Sequence, residues 1–196
     1  MKQIIGVIAA LLAFVAYVPY FRDILHGKTK PHAYSWFIWG LTSILIFALQ
    51  ITHGGGPGAY TTATVAFISF AVCLMSLKGS AKYITRSDTL FFVMALVSTG
   101  FWLLAKQPTL SMILLIITDI LGIIPSVHKA WNRPQEETVV MWSLNSFRHA
   151  LSILALNQYS LITLLNPATW AITNVLFSLM LIGRRRKIEA QPPSRP

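Results

Sequence analysis

Seven long apolar runs, separated by short polar stretches, dominate the pattern of this chain. They cover residues 3–21, 34–52, 58–77, 88–105, 108–128, 138–157 and 160–183. About 20 apolar residues are needed to cross a hydrocarbon core of about 30 Å as an α-helix. The runs are continuously apolar and lack the alternation of membrane-barrel strands, so helices are the remaining way to satisfy the backbone in lipid. The pattern predicts an all-α membrane protein with seven transmembrane helices.

The apolar runs repeat at a spacing of 106 residues, so that residues 3–78 superpose on residues 109–184. Two landmarks coincide at the same spacing, Pro19 with Pro125 and Trp36 with Trp142. Residue identity is otherwise poor, but the landmarks agree with the register of the apolar runs. Because an overlooked repeat leads to the wrong fold, we give this signal priority. It predicts two copies of one three-helix unit.

Helix 4, at residues 88–105, has no counterpart in the repeat. Three helices are an odd number, and one extra crossing gives both copies the same orientation in the membrane. The predicted architecture is therefore 3+1+3, with two parallel repeats related by an axis along the membrane normal. Small transporters use this plan, with the solute site near the midplane. The predicted domains are a first repeat at 3–78, a linker with helix 4 at 79–107, a second repeat at 108–184 and a basic, disordered tail at 185–196.

Composition and charge agree with a membrane location. Hydrophobic residues make up 55% of the chain and charged residues 11%, with a mean hydropathy of +0.61, which excludes an ordinary soluble domain. The net charge of +10 is typical of nucleic-acid binding, but its distribution argues against such a partner. Of sixteen Lys and Arg residues, two lie on the predicted outer side, Arg148 lies inside a helix, and thirteen lie on the other side. The thirteen are Arg22, Lys28, Lys30, Lys78, Lys82, Arg86, Lys129, Arg133, Arg184, Arg185, Arg186, Lys187 and Arg195.

The positive-inside rule then sets the orientation. It predicts a multi-pass protein of the cell (inner) membrane, with the amino terminus outside and the carboxyl terminus in the cytoplasm. The first run, preceded by Lys2, is interpreted as a helix rather than a signal peptide, since no cleavage site precedes Tyr17 and the repeat requires it. The basic segment Arg184–Lys187 is either a topology anchor that touches anionic lipid or a partner-binding site.

Residues 19–29, which read PYFRDILHGKT, are followed by Ser35-Trp36, and this stretch resembles the PQ-loop motif. Residues 125–133, leading to Trp142-Ser143, resemble a weaker second copy. The chain is thus similar to the PQ-loop / SWEET (MtN3-like) membrane transporters, a group that includes the SWEET sugar transporters and the cystine exporter cystinosin. The resemblance implies the 3+1+3 plan and transport of a sugar or an amino-acid-like solute. One departure is that Tyr20 and Ser126 stand in place of the motif's glutamine.

Two matched prolines are the candidate moving parts. Proline inside a helix removes a backbone hydrogen bond and creates a bend. Pro19 and Pro125 lie near the predicted cytoplasmic ends of helices 1 and 5. They are either hinges of an inner gate, which their symmetry favours, or static kinks of the kind common in membrane helices.

Asp119 and Arg148 are ionisable groups inside predicted helices 5 and 6, and such groups are costly in a membrane. Counted at 1.5 Å per residue, each lies roughly 15–17 Å deep, near the midplane. We predict an ion pair between them. The pair is either a structural lock between helices 5 and 6 or a substrate or proton site, with Asp119 as the group that titrates.

Helix 6 carries a polar face. Asn145, Arg148, His149 and Ser152 follow the 3/4 spacing of a helix and should face the protein interior. His149 is either a hydrogen-bonded packing residue or a proton carrier. Asn174 in helix 7 resembles, loosely, the helix-7 asparagine of the SWEET sugar pocket. Trp36, Trp39, Trp142 and Trp170 are candidate pocket walls, although tryptophan also anchors helices at the membrane interface.

The predicted function is small-solute transport by alternating access between the two repeats; the alternative is a non-transporting accessory or sensor protein with the PQ-loop fold. The stretch His53-Gly-Gly-Gly56 is similar to the oxyanion loop of esterases, but no Gly-x-Ser-x-Gly nucleophile elbow accompanies it. We interpret the stretch as a flexible turn, and an enzyme is not expected. Cys73, the single cysteine, excludes intrachain disulfides and multi-cysteine metal sites. The expected partners are a small polar solute and the lipid bilayer. Proton coupling and a homo-oligomer are open alternatives, and no cofactor or metal is expected.

Overall fold

The computed structural model describes residues 1–80, 86–105 and 107–189. Seven α-helices make up almost all of this part of the chain, as the apolar runs predict. They are α1 (Lys2–Leu25), α2 (Ala33–Thr52), α3 (Tyr60–Ser80), α4 (Arg86–Ala105), α5 (Pro108–Asn132), α6 (Val139–Leu154) and α7 (Leu161–Glu189). Two short 3-10 turns, Gly56–Ala59 and Pro134–Glu136, precede α3 and α6. The all-α class is confirmed.

Within the described residues, five helical segments are long and apolar enough to cross a membrane. They are Lys2–Leu25, Ala33–Thr52, Gly56–Leu77, Pro108–Asn132 and Leu161–Glu189. By contrast, α6 has only 16 residues and several polar side chains on one face, so it falls short of the usual crossing length of about 20. The five long helices suit an integral, multi-pass membrane protein.

Large apolar side chains cover the outside of the helices. Phe14, Phe67 and Phe147 are 49%, 72% and 59% exposed, and many leucines and isoleucines are exposed with them. Soluble monomers rarely expose apolar surface on this scale. Serine, threonine and asparagine are buried in the interior instead. This arrangement of apolar outside and polar inside is the one expected for a chain surrounded by lipid.

The helices do not pack in chain order. Helix α3 packs against both α1 and α2, and α7 packs against both α5 and α6. Across the middle of the molecule, α1 packs against α6 and α2 packs against α5. Helix α4 lies mainly on α5. Consecutive helices α5 and α6 have few direct contacts, because α7 lies against both of them.

The loops 26–32 and 133–138 meet at one end of the molecule, here called the basic end. Thr29 and Thr138 hydroxyls lie 2.7 Å apart, and Lys30 donates to the Glu136 carboxylate at 2.9 Å. Lys129 Nζ forms a buried ion pair with Glu137 at 2.5 Å and also donates to a backbone carbonyl of loop 26–32. The two loops are therefore joined by both neutral and charged hydrogen bonds.

The opposite end is joined by backbone and small residues. The backbone N–H of Gln158 donates to the Gly54 carbonyl at 3.1 Å, and Ser152 Oγ donates to the Gly58 carbonyl at 2.6 Å. Gly54 has φ +81°, and a Cβ there would lie 2.6 Å from the Gln158 side chain. At Gly6, a Cβ would lie 2.5 Å from Pro57. The His53–Gly56 segment is thus a tight turn at this end.

Helix α7 continues further than predicted. The tail was predicted from residue 185 onward, and α7 is helical to Glu189. Arg185 donates to the carbonyl of Pro134 at 3.0 Å, and Arg184 donates to that of Trp131 at 2.9 Å. Carbonyls near a helix end commonly accept such bonds from basic side chains. Residues 190–196, and residues 81–85 and 106 of the predicted linker, lie outside the described residues.

Candidate functional site

A cavity lies in the interior between α1, α2, α3, α6 and α7. Tyr17, Trp36, Trp39, Ser43, Thr62, Val65, Ser69, Trp142, Asn145, Arg148, His149, Asn166, Trp170 and Asn174 line it. In this conformation the volume of the cavity is about 30 Å³. A larger occupant would have to displace side chains of the wall.

Four tryptophans form one connected aromatic wall. The ring centroids of Trp36 and Trp39 are 5.0 Å apart, those of Trp39 and Trp142 are 6.1 Å apart, and those of Trp39 and Trp170 are 5.3 Å apart. All three pairs are edge to face, the arrangement that aromatic quadrupoles favour. All four tryptophans line the cavity. They come from α2, α6 and α7, so the wall joins both halves of the sequence.

Helix α6 supplies the polar part of the cavity. Asn145, Arg148 and His149 are 2%, 2% and 5% exposed, which confirms that the predicted polar face is turned inward. Arg148 Nε donates to Asn145 Oδ1 at 2.6 Å, and its Nη2 lies 3.1 Å from His149 Nε2. Arg148 Nη1 is buried and has no hydrogen-bond partner among the described residues. Ser152, one turn further along, instead bonds to the opposite end of the molecule.

The contact with Arg148 settles the hydrogen-bonding roles of His149. Guanidinium nitrogens can only donate, so His149 Nε2 must accept. The ring proton then lies on Nδ1, which is buried and without a partner in the described part of the chain. His149 therefore offers a second unused donor.

Asp119 and Arg148 do not form the predicted ion pair, although both are buried and described. The carboxylate of Asp119 accepts hydrogen bonds from the Thr42 hydroxyl and, at 3.0 Å, from Trp170 Nε1. Its backbone carbonyl accepts from Trp39 Nε1 at 3.2 Å. The prediction assumed that helices 5 and 6 are neighbours, whereas α5 packs against α2 and α7. Asp119 lies behind the aromatic wall and accepts hydrogen bonds from two of its indoles.

Asn174 lies in the cavity wall on α7, as predicted. Its Nδ2 donates to the carbonyl of Trp170 at 2.6 Å, and its Oδ1 is buried without a partner among the described residues. Ser69 on α3 presents a similarly unpartnered hydroxyl. Four unsatisfied polar groups, from α3, α6 and α7, thus line the same small cavity.

Pro19 and Pro125 lie inside α1 and α5, as predicted. Neither lines the cavity. Each lies in the last two turns of its helix, between the cavity and the basic end. A third proline, Pro167, lies inside α7. The two matched prolines are therefore placed where a bend would move the loops of the basic end.

Six residues of the cavity wall were not predicted, and a signal for most of them exists in the sequence. They are Tyr17, Ser43, Thr62, Val65, Ser69 and Asn166. Thr62, Val65 and Ser69 share one face of α3, and Asn166, Trp170 and Asn174 share one face of α7. Polar residues at helical spacing within an apolar run would have identified these faces.

No family model, curated protein or solved structure matches the chain.

Proposed function

We propose that this protein transports a small polar solute across a membrane by alternating access. The observation that carries the proposal is the buried cavity, which combines an aromatic wall with unsatisfied polar groups. Buried polar atoms are ordinarily hydrogen-bonded, so several unsatisfied ones around one space need a reason. A ligand that enters the cavity and supplies the missing partners is that reason.

The pattern of helix contacts supports the 3+1+3 arrangement of two parallel repeats. Exchanging the two copies turns α1 into α5, α2 into α6 and α3 into α7. Under this exchange the contact of α1 with α6 becomes the contact of α5 with α2, and both occur. The contacts of α3 with α1 and α2 likewise become those of α7 with α5 and α6. An unmatched α4 then acts as the linker, and the cavity lies where the two units meet.

Hydrogen bonds and ion pairs connect the two three-helix units at both ends of the molecule, as a closed intermediate of a transport cycle requires. At the basic end the bonds are those of Thr29, Lys30 and Lys129 with loop 133–138. At the opposite end, Gln158 and Ser152 donate to the carbonyls of Gly54 and Gly58. Alternating access separates one set of contacts while the other stays formed. Pro19 and Pro125 are proposed as the hinges of the basic end.

The resemblance to the PQ-loop / SWEET transporters agrees with this proposal. The residues in place of the motif's glutamine lie at helix contacts. Tyr20 is buried with its ring centroid 5.3 Å from that of Trp36, and Ser126 donates to the Ser35 hydroxyl at 3.1 Å. These positions have therefore kept a role in packing α1 on α2 and α5 on α2.

The direct test is solute uptake by the purified protein in proteoliposomes. The panel contains neutral sugars, amino acids and small carboxylates, each measured with and without a pH gradient. We expect saturable uptake of at least one solute, reduced by Trp142→Ala in the cavity wall. Phe147→Ala is the matched control, because Phe147 lies on the same helix but is 59% exposed on the outer face. Specific binding without uptake would support the accessory or sensor alternative instead.

The proposed orientation puts the basic end in the cytoplasm. A reporter fused after Pro196 should then report the cytoplasm, and one inserted at Gly55 should report the outside. A cytoplasmic reporter at Gly55 would contradict the 3+1+3 assignment.

A further inference from the structure

Arg148 is a buried cation without a counter-charge. Arg148 is 2% exposed. Its Nε and Nη2 contact the neutral side chains of Asn145 and His149, and its Nη1 has no hydrogen-bond partner among the described residues. The hydroxyl of Tyr17 lies in the same cavity wall, and a tyrosine is uncharged at neutral pH. An arginine keeps its charge in any protein environment. A positive charge therefore lies at the wall of the cavity without a negative partner among the described residues.

The acidic groups of the interior are engaged elsewhere. Asp119 is bonded to Thr42 and Trp170. Glu137 is paired with Lys129, and Glu136 with Lys30. None of these three carboxylates pairs with Arg148. A buried charge is ordinarily paired, so the missing partner is expected to come from outside the chain.

The groups around Arg148 define the chemistry of that partner. Arg148 Nη1 and His149 Nδ1 are both unused donors, and together they suit an anionic oxygen group. Asn174 Oδ1 is an unused acceptor and suits a hydroxyl or amine of the same molecule. The tryptophan wall suits its apolar part. The single positive charge favours a single negative charge, whereas a phosphate ester carries roughly two at pH 7 and would leave an excess buried charge.

We infer that the solute of this cavity is a small organic carboxylate whose carboxylate group pairs with Arg148. The inference rests on the proposed transport function and adds the class of solute and the residue that selects it. A neutral sugar would leave the guanidinium without a counter-charge, so it is the poorer ligand. Arg148 is the specificity-determining residue.

The test compares carboxylates with their own primary amides, which have nearly the same shape without the charge. Lactate with lactamide and benzoate with benzamide are suitable pairs. Binding is measured with the full-length protein in detergent, by tryptophan fluorescence and by ligand-induced shifts in melting temperature. For at least one pair we expect the carboxylate to bind tenfold or more tightly than the amide. If no carboxylate of an extended panel binds more tightly than its amide, the inference is wrong.

Variants of Arg148 identify the residue responsible. We expect Arg148→Gln to abolish the preference for the carboxylate and Arg148→Lys to retain part of it. Phe147→Ala, on the outer face, should keep the full preference. A preference that survives Arg148→Gln would overturn the inference. If Arg148→Gln fails to fold, the inference is tested by Arg148→Lys and by comparing each acid with its amide in the unaltered protein.

The outcomes separate the solute class from the transport function. Uptake of a neutral sugar that is unaffected by Arg148→Gln would overturn the inference and leave transport standing. Carboxylate binding through Arg148 without uptake would support the inference and remove transport. Inorganic phosphate and chloride are included in the panel, and tighter binding of either than of every carboxylate would contradict the choice of a carboxylate.

Discussion

Lys129 and Arg148 are both buried cations, but their surroundings differ. Lys129, near the basic end, pairs with Glu137 at 2.5 Å and also donates to a backbone carbonyl. Arg148, at the cavity, contacts an amide oxygen and an imidazole and has one nitrogen without a partner among the described residues. The charge of Lys129 is balanced within the protein, whereas that of Arg148 is not.

The difference separates a structural charge from one available to a ligand. The ion pair of Lys129 links α5 to the segment just before α6 and closes the basic end. Removing one member of such a pair leaves the other buried and unpaired, which is strongly destabilising. Removing Arg148 leaves only neutral groups behind. Neutral substitution should therefore destabilise the protein strongly at Lys129 and only slightly at Arg148.

The largest effect is expected for Lys129→Met. It leaves the buried Glu137 carboxylate without a cation, at a cost of about 3–5 kcal/mol in the free energy of unfolding. Thermal unfolding in detergent, followed by tryptophan fluorescence, measures the loss. Adding Glu137→Gln should recover most of it, because the amide oxygen still accepts the bond from Trp142 Nε1, which is 3.4 Å long in the unaltered protein. Additive losses in the double variant would show that the two residues are not coupled.

An intermediate effect is expected for Asp119→Leu. It removes the acceptor of Trp170 Nε1, and an unpaired buried donor costs about 1–3 kcal/mol, whereas the Thr42 hydroxyl can still donate to the Ile38 carbonyl at 2.9 Å. Asp119→Asn keeps an oxygen for the indole and an amide for the hydroxyl, so it should cost much less. If Asp119→Asn is as damaging as Asp119→Leu, the negative charge of Asp119 is itself required for stability, and hydrogen bonding alone does not explain its role.

Arg148→Met should change stability by no more than about 1 kcal/mol, because the lost hydrogen bonds are offset by removal of an unpaired buried charge. The same unfolding measurement applies. A loss as large as that of Lys129→Met would show that Arg148 is structural, and the contrast between the two residues would disappear.

The smallest effect on stability is expected for the proline variants. Pro19→Ala and Pro125→Ala restore a helical hydrogen bond, so the unfolding temperature should stay the same or rise. Solute exchange in proteoliposomes should nevertheless slow severalfold, because the basic end loses its hinges. Pro167→Ala in α7 is the matched control and should exchange at the unaltered rate. If all three variants exchange solute at the rate of the unaltered protein, Pro19 and Pro125 are static kinks.

The helices, and the faces of the helices that turn inward, could be predicted from the sequence. Hydropathy and spacing are local properties, so each of the seven apolar runs could be recognised as a helix. The 3/4 spacing in α6 placed Asn145, Arg148 and His149 on one buried face, and the tryptophans were recognised as pocket walls. Burial of a polar stripe follows from the cost of exposing it to lipid, whichever helix lies opposite.

The choice of neighbouring helices could not be predicted from the sequence and is seen in the folded chain. Within lipid, helix contacts depend on the detailed packing and hydrogen bonding of side chains from different helices, which a one-dimensional pattern does not record. Helix α7 packs between α5 and α6, so Asp119 bonds to Trp170 rather than to Arg148. The same packing leaves Arg148 facing the cavity without a counter-charge. Arg185 likewise found its carbonyl partner in the loop before α6, and α7 continues as a helix beyond its predicted end.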